Sequence, residues 1–333
     1  MKKGIKRYIL LLISLVLLYF VFVDVNWSIF INSFHKVNPL YIIILIICIL
    51  TAIGLRGLCF KLLIYKTVKI PLKEAVLLCI SASAFNIVLP ARAGDIFRAY
   101  YVGKEYNTDK IKIFGTVILE RILDLFVISS LLLTATFLYN KNGLTLKMCC
   151  AGFILLTAGF IFAFLTYKYN LSDRIFKKIT GFTDKLPFSD LSRKIINYLN
   201  EIFTSFCSGF EVLDSPARLG ASLLTVFSIW FFECMNYFIT MKAFGLDFHF
   251  SLPIFITCFI VFAGLIPSAS IFLGPTQIAV IAAFALYHES KETALAVSFF
   301  EQGLCTISVI IVAIYFLLTR HVSLSKIKEN INE

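Results

Sequence analysis

Charged residues are scarce in this sequence. They make up 15% of its 333 residues, whereas a soluble domain carries about 25%. Hydrophobic residues make up 59%, and the mean hydropathy is +0.88. This composition excludes an ordinary soluble globular domain. It predicts an all-α polytopic membrane protein instead.

The motifs of common soluble enzymes are also missing. The sequence contains no Gly-rich nucleotide-binding loop, no Gly-x-Ser-x-Gly elbow and no His-Glu-x-x-His. None of the nine cysteines belongs to a Cys-x-x-Cys pair, and the four histidines have no ligand spacing. Most cysteines lie in apolar runs, so we interpret them as small buried hydrophobic residues. We therefore expect no metal, no cofactor and no enzyme activity.

Positive charge is the exception to this scarcity, because the formal net charge is +11. Such a charge is compatible with nucleic-acid binding, but the Lys and Arg residues are spread along loops between apolar runs. That distribution is typical of the cytoplasmic loops of membrane proteins. We therefore expect no nucleic-acid partner. We expect a multi-pass protein of the cell (inner or plasma) membrane with both termini in the cytoplasm.

Six apolar runs are long enough to cross a bilayer, which takes about 20 residues. The first run follows a basic start, as in a signal peptide, but it is long and lacks a cleavage site of small residues. We therefore interpret it as an uncleaved spanning helix. The six runs are Tyr8–Val23, Pro39–Leu58, Ile113–Leu138, Met148–Tyr167, Ala217–Phe244 and Thr293–Leu318.

Polar segments separate these runs. We predict a short polar loop at Asp24–Asn38 and a basic loop that begins around Arg56. Lys168–Ser215 is the longest polar segment, and its apolar residues recur at helical spacing. This pattern predicts an amphipathic helix, which lies at the cytoplasmic membrane surface or packs on the protein's own loops.

The apolar run Leu72–Leu89 meets a pair of helix-breaking residues, Pro90 and Gly94. Basic residues lie on both sides of this run, so a full crossing would leave one basic loop outside the cell. A re-entrant hairpin removes the conflict, with one helix that enters to Leu89 and a short helix that returns to about Val102. The alternative is a full span with a tolerated positive loop outside.

A second interrupted region lies near the C-terminus. The apolar runs Leu252–Ile266 and Ile278–Tyr287 flank a break that contains Pro267 and Gly274. Each break precedes a span with a central polar pair, and the two separations between break and pair are nearly equal. We therefore predict two re-entrant helical hairpins in an inverted repeat. The repeats belong to a single membrane domain, 1–333, with repeat A at about 39–139, the amphipathic segment at about 168–215 and repeat B at about 217–319.

Several polar and charged residues interrupt the apolar sequence near these breaks. A charge at membrane depth costs roughly 2.5–3.5 kcal/mol on insertion scales, so it usually faces a partner or a watery cavity and is a candidate for function. The candidate substrate-binding residues are Asn86, Arg92, Asp95, Arg98, Glu120, Arg121, Asp124, Glu233, Gly274, Glu301 and Gln302.

The strongest candidates are the charged ones. Arg92, with Arg98, is expected to bind a lipid phosphate, because a guanidinium holds phosphate through two parallel hydrogen bonds. The alternative for these arginines is anchoring at the membrane interface. Glu120 and Asp124 share one helix face, and with Glu301 they are expected to face a cavity, where they balance charge or carry protons. The alternative is a structural salt-bridge cluster.

Two other candidates have two interpretations each. Asn86 hydrogen-bonds substrate or caps the broken helix, and capping is the commoner role of asparagine. Glu233 is a protonation site for coupling or a neutral, hydrogen-bonded carboxylic acid.

The first interrupted region is similar to a known signature, that of the lysylphosphatidylglycerol synthase transmembrane region, also called the flippase-like domain family. The resembling residues are Asn86…Pro90-Ala-Arg92-Ala-Gly94-Asp95…Arg98, then Glu120-Arg121…Asp124. The resemblance extends over nearly the whole chain. There are two departures: Asp95 stands where Glu is common, and Pro267-Ser-Ala-Ser-Ile-Phe-Leu-Gly274 replaces a Pro-Gly-Gly-x-Gly-like run.

In the bifunctional relatives, this membrane part is credited with moving an aminoacylated lipid between leaflets, while a soluble synthase domain makes that lipid. We find no such domain in this sequence. The resemblance therefore implies a flippase or scramblase-like transporter of a polar-headed phospho- or glycolipid. Its implied partners are membrane lipids and a lipid-modifying glycosyl- or aminoacyl-transferase. The alternatives are an intramembrane lipid-modifying transferase, with Glu120 or Asp95 as general base, and a non-transporting partner of a lipid-modifying enzyme.

Overall fold

The structure is a computed structural model that describes residues 16–88, 93–139, 144–169, 189–264 and 274–319. Within these ranges the chain forms α-helices and one 3₁₀ segment, and it forms no strand. The all-α prediction is therefore confirmed. The predicted turn at Pro90, the side chain of Arg92 and most of the second break lie outside the described residues.

The helices are labelled in chain order. They are α1 (Val16–Phe22), α2 (Trp27–His35), α3 (Leu40–Ile64), α4 (Leu72–Val88), α5 (Ala93–Glu105), α6 (Lys110–Tyr139), α7 (Leu144–Lys168), α8 (Ser189–Ser208), α9 (Pro216–Ala243), α10 (Ser251–Ala263), α11 (Pro275–Ala285) and α12 (Lys291–Thr319). The 3₁₀ segment, Glu211–Asp214, lies between α8 and α9.

Five of these helices are long and apolar enough to cross a membrane, namely α3, α6, α7, α9 and α12. The bent pair of α1 and α2, with an angle of 78° between them, makes a sixth crossing if the two are counted as one span. The predicted number of about six spans is confirmed on this count.

The prediction of a polar loop at Asp24–Asn38 is wrong, because this segment contains α2. Asn26 caps the helix by accepting hydrogen bonds from the backbone N–H groups of Ser28 and Ile29, at 3.1 and 3.3 Å. An aromatic side chain of α2 then packs edge-to-face on α12. A local cap and tertiary packing together stabilise a helix that is short and partly polar.

The second span is longer than predicted. It continues past Leu58 and ends at Ile64. Arg56 was expected to open a basic loop, but it lies inside α3. There Asp124 of α6 accepts hydrogen bonds from its Nη1 at 2.7 and 2.9 Å. The carboxylate compensates for the buried positive charge, so the helix does not have to end before the arginine.

The helices α4 and α5 lie antiparallel to one another, as the predicted hairpin requires. At 1.5 Å per residue they are about 26 and 20 Å long, which is short of a hydrocarbon core of about 30 Å. Gly94 permits their close approach, because a Cβ at this position would lie 1.8 Å from the carbonyl oxygen of Ala82. The pairs in contact along the hairpin are Ala82 with Gly94, Cys79 with Arg98 and Glu74 with Tyr101.

The helices α10 and α11 form a second hairpin. Their outer ends meet where the hydroxyl groups of Ser251 and Tyr287 lie 2.5 Å apart, and their buried faces share one hydrophobic cluster. They are about 20 and 17 Å long, so neither crosses a bilayer alone. Gly274 precedes α11 with a φ of +102°, a backbone conformation that side-chain-bearing residues rarely adopt.

The bases of the two hairpins lie at opposite ends of α6, which is about 45 Å long. Near its start, Val102 of α5 and Ile113 of α6 share a hydrophobic cluster. At its end, the hydroxyl of Tyr139 donates to the carbonyl oxygen of Leu286 at 2.5 Å. The two hairpins therefore start from opposite ends of this helix. The inverted repeat is a claim about symmetry as well, and it stays a prediction.

The predicted amphipathic segment contains α8, which packs on the first half of α6. The contact is close, because a Cβ on Gly115 would lie 2.0 Å from the carbonyl oxygen of Phe206. Elsewhere on α8, Tyr198 and Leu199 are exposed. One side of the helix is thus occupied by the protein itself, and another remains open.

Polar contacts hold the 3₁₀ segment against the helix ends around it. Lys66 Nζ lies 3.0 Å from Asp214, and the hydroxyl of Tyr167 donates to the same carboxylate at 2.8 Å. Partial burial acts to raise the pKa of Asp214, but the hydrogen bonds from Tyr167 and Lys66 outweigh it and hold the pKa below its ordinary value.

Two glycines of α3 provide a test of how tightly α3 and α4 pack. A Cβ at Gly57 would lie 2.5 Å from the Cα of Val76, whereas one at Gly54 would meet nothing within 4 Å. We expect Gly57→Ala to lower the free energy of unfolding by about 1–3 kcal/mol, as overpacking does. Gly54→Ala should raise it by up to about 1 kcal/mol through helix propensity. Unfolding in detergent measures both, and equal effects would contradict this packing.

Candidate functional site

An ion-pair cluster lies where α3, α5 and α6 meet. Helical spacing brings its members together, because residues three or four apart project from adjacent turns on one side of a helix. α3 contributes one residue, α5 two and α6 three. The cluster consists of Arg56, Asp95, Arg98, Glu120, Arg121 and Asp124.

Glu120 is at the centre of the cluster. Its Oε2 accepts a hydrogen bond from Arg98 Nη1 at 2.8 Å, and its Oε1 accepts one from Arg121 Nη2 at 2.9 Å. Arg56 Nη1 lies 3.5 Å from the same Oε1. Glu120 is 0% exposed and Arg98 is 2% exposed. Ions buried this deeply are strongly destabilising unless they are paired, and here each is paired.

Asp124 forms the second acceptor of the cluster. Its two oxygens accept hydrogen bonds from Arg56 Nη1 at 2.7 and 2.9 Å, and one of them also accepts from Arg121 Nη1 at 2.9 Å. The indole N–H of Trp230, on α9, donates to Asp124 at 2.8 Å. The Arg56 guanidinium also lies over the Trp230 ring, 5.4 Å from its centroid. The cluster thus ties α3 and α6 to α9.

Asp95 completes the cluster. It accepts a hydrogen bond from Arg98 Nη2 at 3.1 Å and lies 3.8 Å from Arg121 Nε. Three guanidinium groups therefore face three carboxylates, and their formal charges sum to zero. Neutrality of this kind lowers the cost of holding six ionised groups among apolar helices.

A cavity of about 310 Å³ borders this cluster. Its volume lies at the lower end of the range for small-molecule sites, about 300–1,000 Å³. The first wall, from α3 to α6, contributes the polar residues Arg56, Ser83, Asn86, Asp95, Arg98 and Arg121. The second wall, from α9 to α12, contributes the polar residues Glu233, Tyr237, Thr257, Thr276, Glu301 and Gln302.

The second wall is acidic. Glu233 lies one turn before Tyr237 on α9, and the side chain of Tyr237 lies beside that of Glu301 on α12. Gln302 accepts a hydrogen bond from Gln277 of α11 at 2.8 Å. In the described part of the chain, no cation lies within ion-pair distance of Glu233 or Glu301, although Arg56 of the first wall is near enough to attract the Glu233 carboxylate. The cavity therefore has one charge-balanced wall and one wall with two carboxyl groups.

The cavity brings together most residues that the sequence singled out. Glu120 and Asp124 lie behind the first wall within the ion-pair cluster, and Gly274 precedes α11, whose Thr276 lines the cavity. Arg92 lies outside the described residues. The predicted residues that line the cavity are Asn86, Asp95, Arg98, Arg121, Glu233, Glu301 and Gln302. They come from both interrupted regions of the sequence.

Arg56, Trp230 and Tyr237 are among the residues of the site that escaped the sequence analysis. Arg56 carried a usable signal, since it is a charge inside a continuous apolar run, the same signal that identified Glu120. Trp230 is one of two Trp and Tyr237 one of 14 Tyr, and no motif around either distinguishes it from the other aromatic residues of the apolar runs. Only helix packing selects the two that face the cavity.

Asn86 has the capping role that was one of its two interpretations. Its Oδ1 accepts a hydrogen bond at 2.8 Å from the backbone N–H of Gly94, in the first turn of α5. We expect Asn86→Ala to lower the free energy of unfolding by about 1 kcal/mol, the usual value for a lost cap. Asn86→Asp keeps an acceptor oxygen and should cost less. Unfolding in detergent measures both, and an unchanged midpoint for Asn86→Ala would contradict a capping role.

The part of the chain that forms the site matches a known protein family. Residues 8–325 match the sequence profile of the family described as "Lysylphosphatidylglycerol synthase TM region". The chain belongs to this family. No curated protein and no solved structure matches the chain.

Membership in the lysylphosphatidylglycerol synthase transmembrane family agrees with the helix count. Together they identify a multi-pass membrane protein. The family is consistent with a lipid-related membrane function. In this protein, the cavity and the ion-pair cluster contain the buried charged residues that such a function could use.

Proposed function

We propose that this protein moves a polar-headed phospho- or glycolipid between the two leaflets of its membrane. One observation carries the proposal. Residues next to both breaks, Asn86 and Asp95 in the first hairpin and Ile260 and Thr276 in the second, line one cavity with charged walls. Interrupted helices at membrane depth are tolerated where they line such a cavity, and transporters with this architecture bind substrate between broken helices.

The composition of the cavity suits an amphiphile. Ile53, Ile80, Ile260 and Val261 line it beside the charged residues. When a lipid crosses the membrane, its head group has to be shielded from the hydrocarbon, while its acyl chains can stay in the hydrocarbon. The polar residues of the walls are matched to a head group, and the aliphatic ones to the glycerol end of the chains.

Charge balance in the ion-pair cluster also favours transport over tight binding. Since the cluster sums to zero, a head group meets local dipoles on this wall, and the carboxyl groups of Glu233 and Glu301 lie on the other. Conduction requires binding that is favourable enough for the substrate to enter and weak enough for it to leave. The chain has no recognisable ATP-binding motif, so we propose movement that is downhill or driven by an ion gradient.

The positions of Glu120 and Asp95 argue against a transferase that uses either as general base. Both oxygens of Glu120 accept hydrogen bonds from arginines, and its side chain is 0% exposed. Asp95 is held by Arg98. A general base has to reach the proton that it abstracts, within about 3 Å or through one water.

Reconstitution in liposomes tests the proposal. Purified protein is incorporated with trace phosphatidylglycerol, phosphatidylethanolamine or glucosyl diacylglycerol, each with a fluorophore on one acyl chain, and a membrane-impermeant reductant bleaches the outer leaflet. We expect the inner-leaflet signal of at least one lipid to be lost faster than in protein-free liposomes. A second set carries an imposed pH gradient. If none of the lipids moves in either set, the proposal is wrong.

A further inference from the structure

The three arginines of the ion-pair cluster differ in how many of their donors are used. Arg98 gives Nη1 to Glu120 and Nη2 to Asp95. Arg121 gives Nη1 to Asp124 and Nη2 to Glu120. Both terminal nitrogens of these two arginines are therefore engaged with carboxylates.

Arg56 is different, because all its carboxylate contacts go through Nη1. Within the described part of the chain, its Nη2 and Nε have no hydrogen-bond partner. The Nε atoms of Arg98 and Arg121 are also without a hydrogen bond there, but they are buried inside the protein. Arg56 and Arg121 both line the cavity, and their side chains are 18% and 28% exposed against 2% for Arg98. Arg56 is the one of the three whose Nε and Nη2 are neither hydrogen-bonded within the described residues nor sealed inside the protein.

That edge has a defined chemistry. A guanidinium presents its N–H groups in a rigid planar fork, and the Nε–Nη2 edge matches two oxygens of a phosphate. The orientation of the fork is fixed from two sides. Asp124 holds Nη1, and the Trp230 ring packs on the face of the guanidinium while its own N–H is bound to the same carboxylate. Little side-chain entropy remains to be lost when an anion binds.

We propose that Arg56 binds the phosphate of the transported lipid through its free Nε–Nη2 edge, an assignment that rests on the proposed function and narrows its substrate to phospholipids. Arg98, which the sequence suggested for this role, serves instead as a structural partner of Glu120 and Asp95. A lysine at position 56 would still pair with Asp124 but would present a single ammonium with no second donor edge.

Trp230 provides a direct readout of binding. The chain has two tryptophans, so Trp27→Phe leaves Trp230, in contact with Arg56, as the sole indole. Full-length Trp27→Phe protein in detergent is titrated with short-chain phosphatidylglycerol, with a glucosyl diacylglycerol of the same chain length, and with glycerol 3-phosphate. We expect a saturable change of emission with the phospholipid, none with the glycolipid, and far weaker binding of glycerol phosphate.

Arg56→Lys in this background should weaken phospholipid binding about tenfold or more, the loss expected for a charge-assisted hydrogen bond. The matched control is Arg218→Lys, since Arg218 also stacks on an aromatic ring, 4.1 Å from the centroid of Tyr65, but does not line the cavity. It should bind phospholipid like the parent. Equal affinity in Arg56→Lys and the parent would overturn the role of Arg56. Equal affinity for lipid and glycerol phosphate would overturn the assignment to a lipid head group.

This experiment is independent of the transport assay, because it measures binding alone. Binding that depends on Arg56 without transbilayer movement would leave the phosphate site standing and remove the transport function. If the protein moves phospholipid and Arg56→Lys moves it at the same rate, the transport function stands and the phosphate site at Arg56 is wrong.

Discussion

Replacing Glu120 by Gln is expected to lower the free energy of unfolding by about 3–5 kcal/mol, the usual cost of removing one partner from a buried ion pair. Glu120 is the carboxylate that contacts all three arginines of the cluster. Without its charge, three guanidinium groups face only two carboxylates. The amide keeps one acceptor oxygen and turns an NH2 group toward either Arg98 or Arg121, each of which now donates to one Glu120 oxygen. Unfolding in detergent, followed by circular dichroism, measures the change.

A double substitution that keeps the ion-pair cluster neutral is the control for Glu120→Gln. Arg98→Met together with Glu120→Met removes one charge of each sign, so Arg56 and Arg121 still face Asp95 and Asp124. Replacing both partners of a buried pair by apolar residues is often close to neutral. We therefore expect the double variant to be more stable than Glu120→Gln, with a large coupling energy in a double-mutant cycle. Additive effects of the two substitutions would mean that the pair does not act as a unit.

An exposed ion pair sets the scale for comparison. Lys242, near the end of α9, pairs with Asp247, whose side chain is 87% exposed. Surface pairs of this kind contribute at most about 1 kcal/mol and often nothing measurable. Asp247→Asn should therefore leave the unfolding midpoint almost unchanged. A similar loss in Asp247→Asn and Glu120→Gln would contradict the importance of burial.

Much of this architecture could be predicted from composition and from where apolar runs break. Hydrocarbon thickness fixes the length of a spanning helix, so runs of about 20 residues located most spans. Pro90 and Gly94 identified the first hairpin, because breaks of this kind are rare at membrane depth without a cavity. The helix α2 was missed because its stability comes from the Asn26 cap and from packing on α12.

Part of the site could also be predicted from the sequence. Charges within apolar sequence stand out one by one, and this identified Glu120, Arg98 and Glu301. Their pairing depends on the rotation and tilt of whole helices, which side-chain packing decides after the helices have formed. The sequence therefore left open whether Arg98 meets a substrate or a carboxylate. Its contacts with Glu120 and Asp95 make it part of a neutral cluster, in which Arg56 is the arginine whose Nε and Nη2 are both unused by the described residues.

Filling the cavity should abolish lipid movement without unfolding the protein. Ser83 of α4 lines the cavity, is exposed to it, and donates a hydrogen bond only to its own helix, to the carbonyl oxygen of Cys79 at 3.0 Å. Ser and Trp have similar helix propensities, and the cavity offers room for a larger side chain. We expect Ser83→Trp to fold with an unfolding midpoint close to that of the parent, and to reduce transbilayer movement to the level of protein-free liposomes.

Thr134→Trp is the matched control for this substitution. Thr134 also hydrogen-bonds its own helix, at 2.9 Å from the carbonyl oxygen of Ser130, and its side chain is exposed on α6, away from the cavity lining. A tryptophan there faces the surroundings of the protein, where aromatic side chains are well tolerated. We therefore expect Thr134→Trp to move lipid at the parent rate. If Ser83→Trp folds and also moves lipid at the parent rate, the route of the lipid does not pass through this cavity, and the transport mechanism proposed for it is wrong.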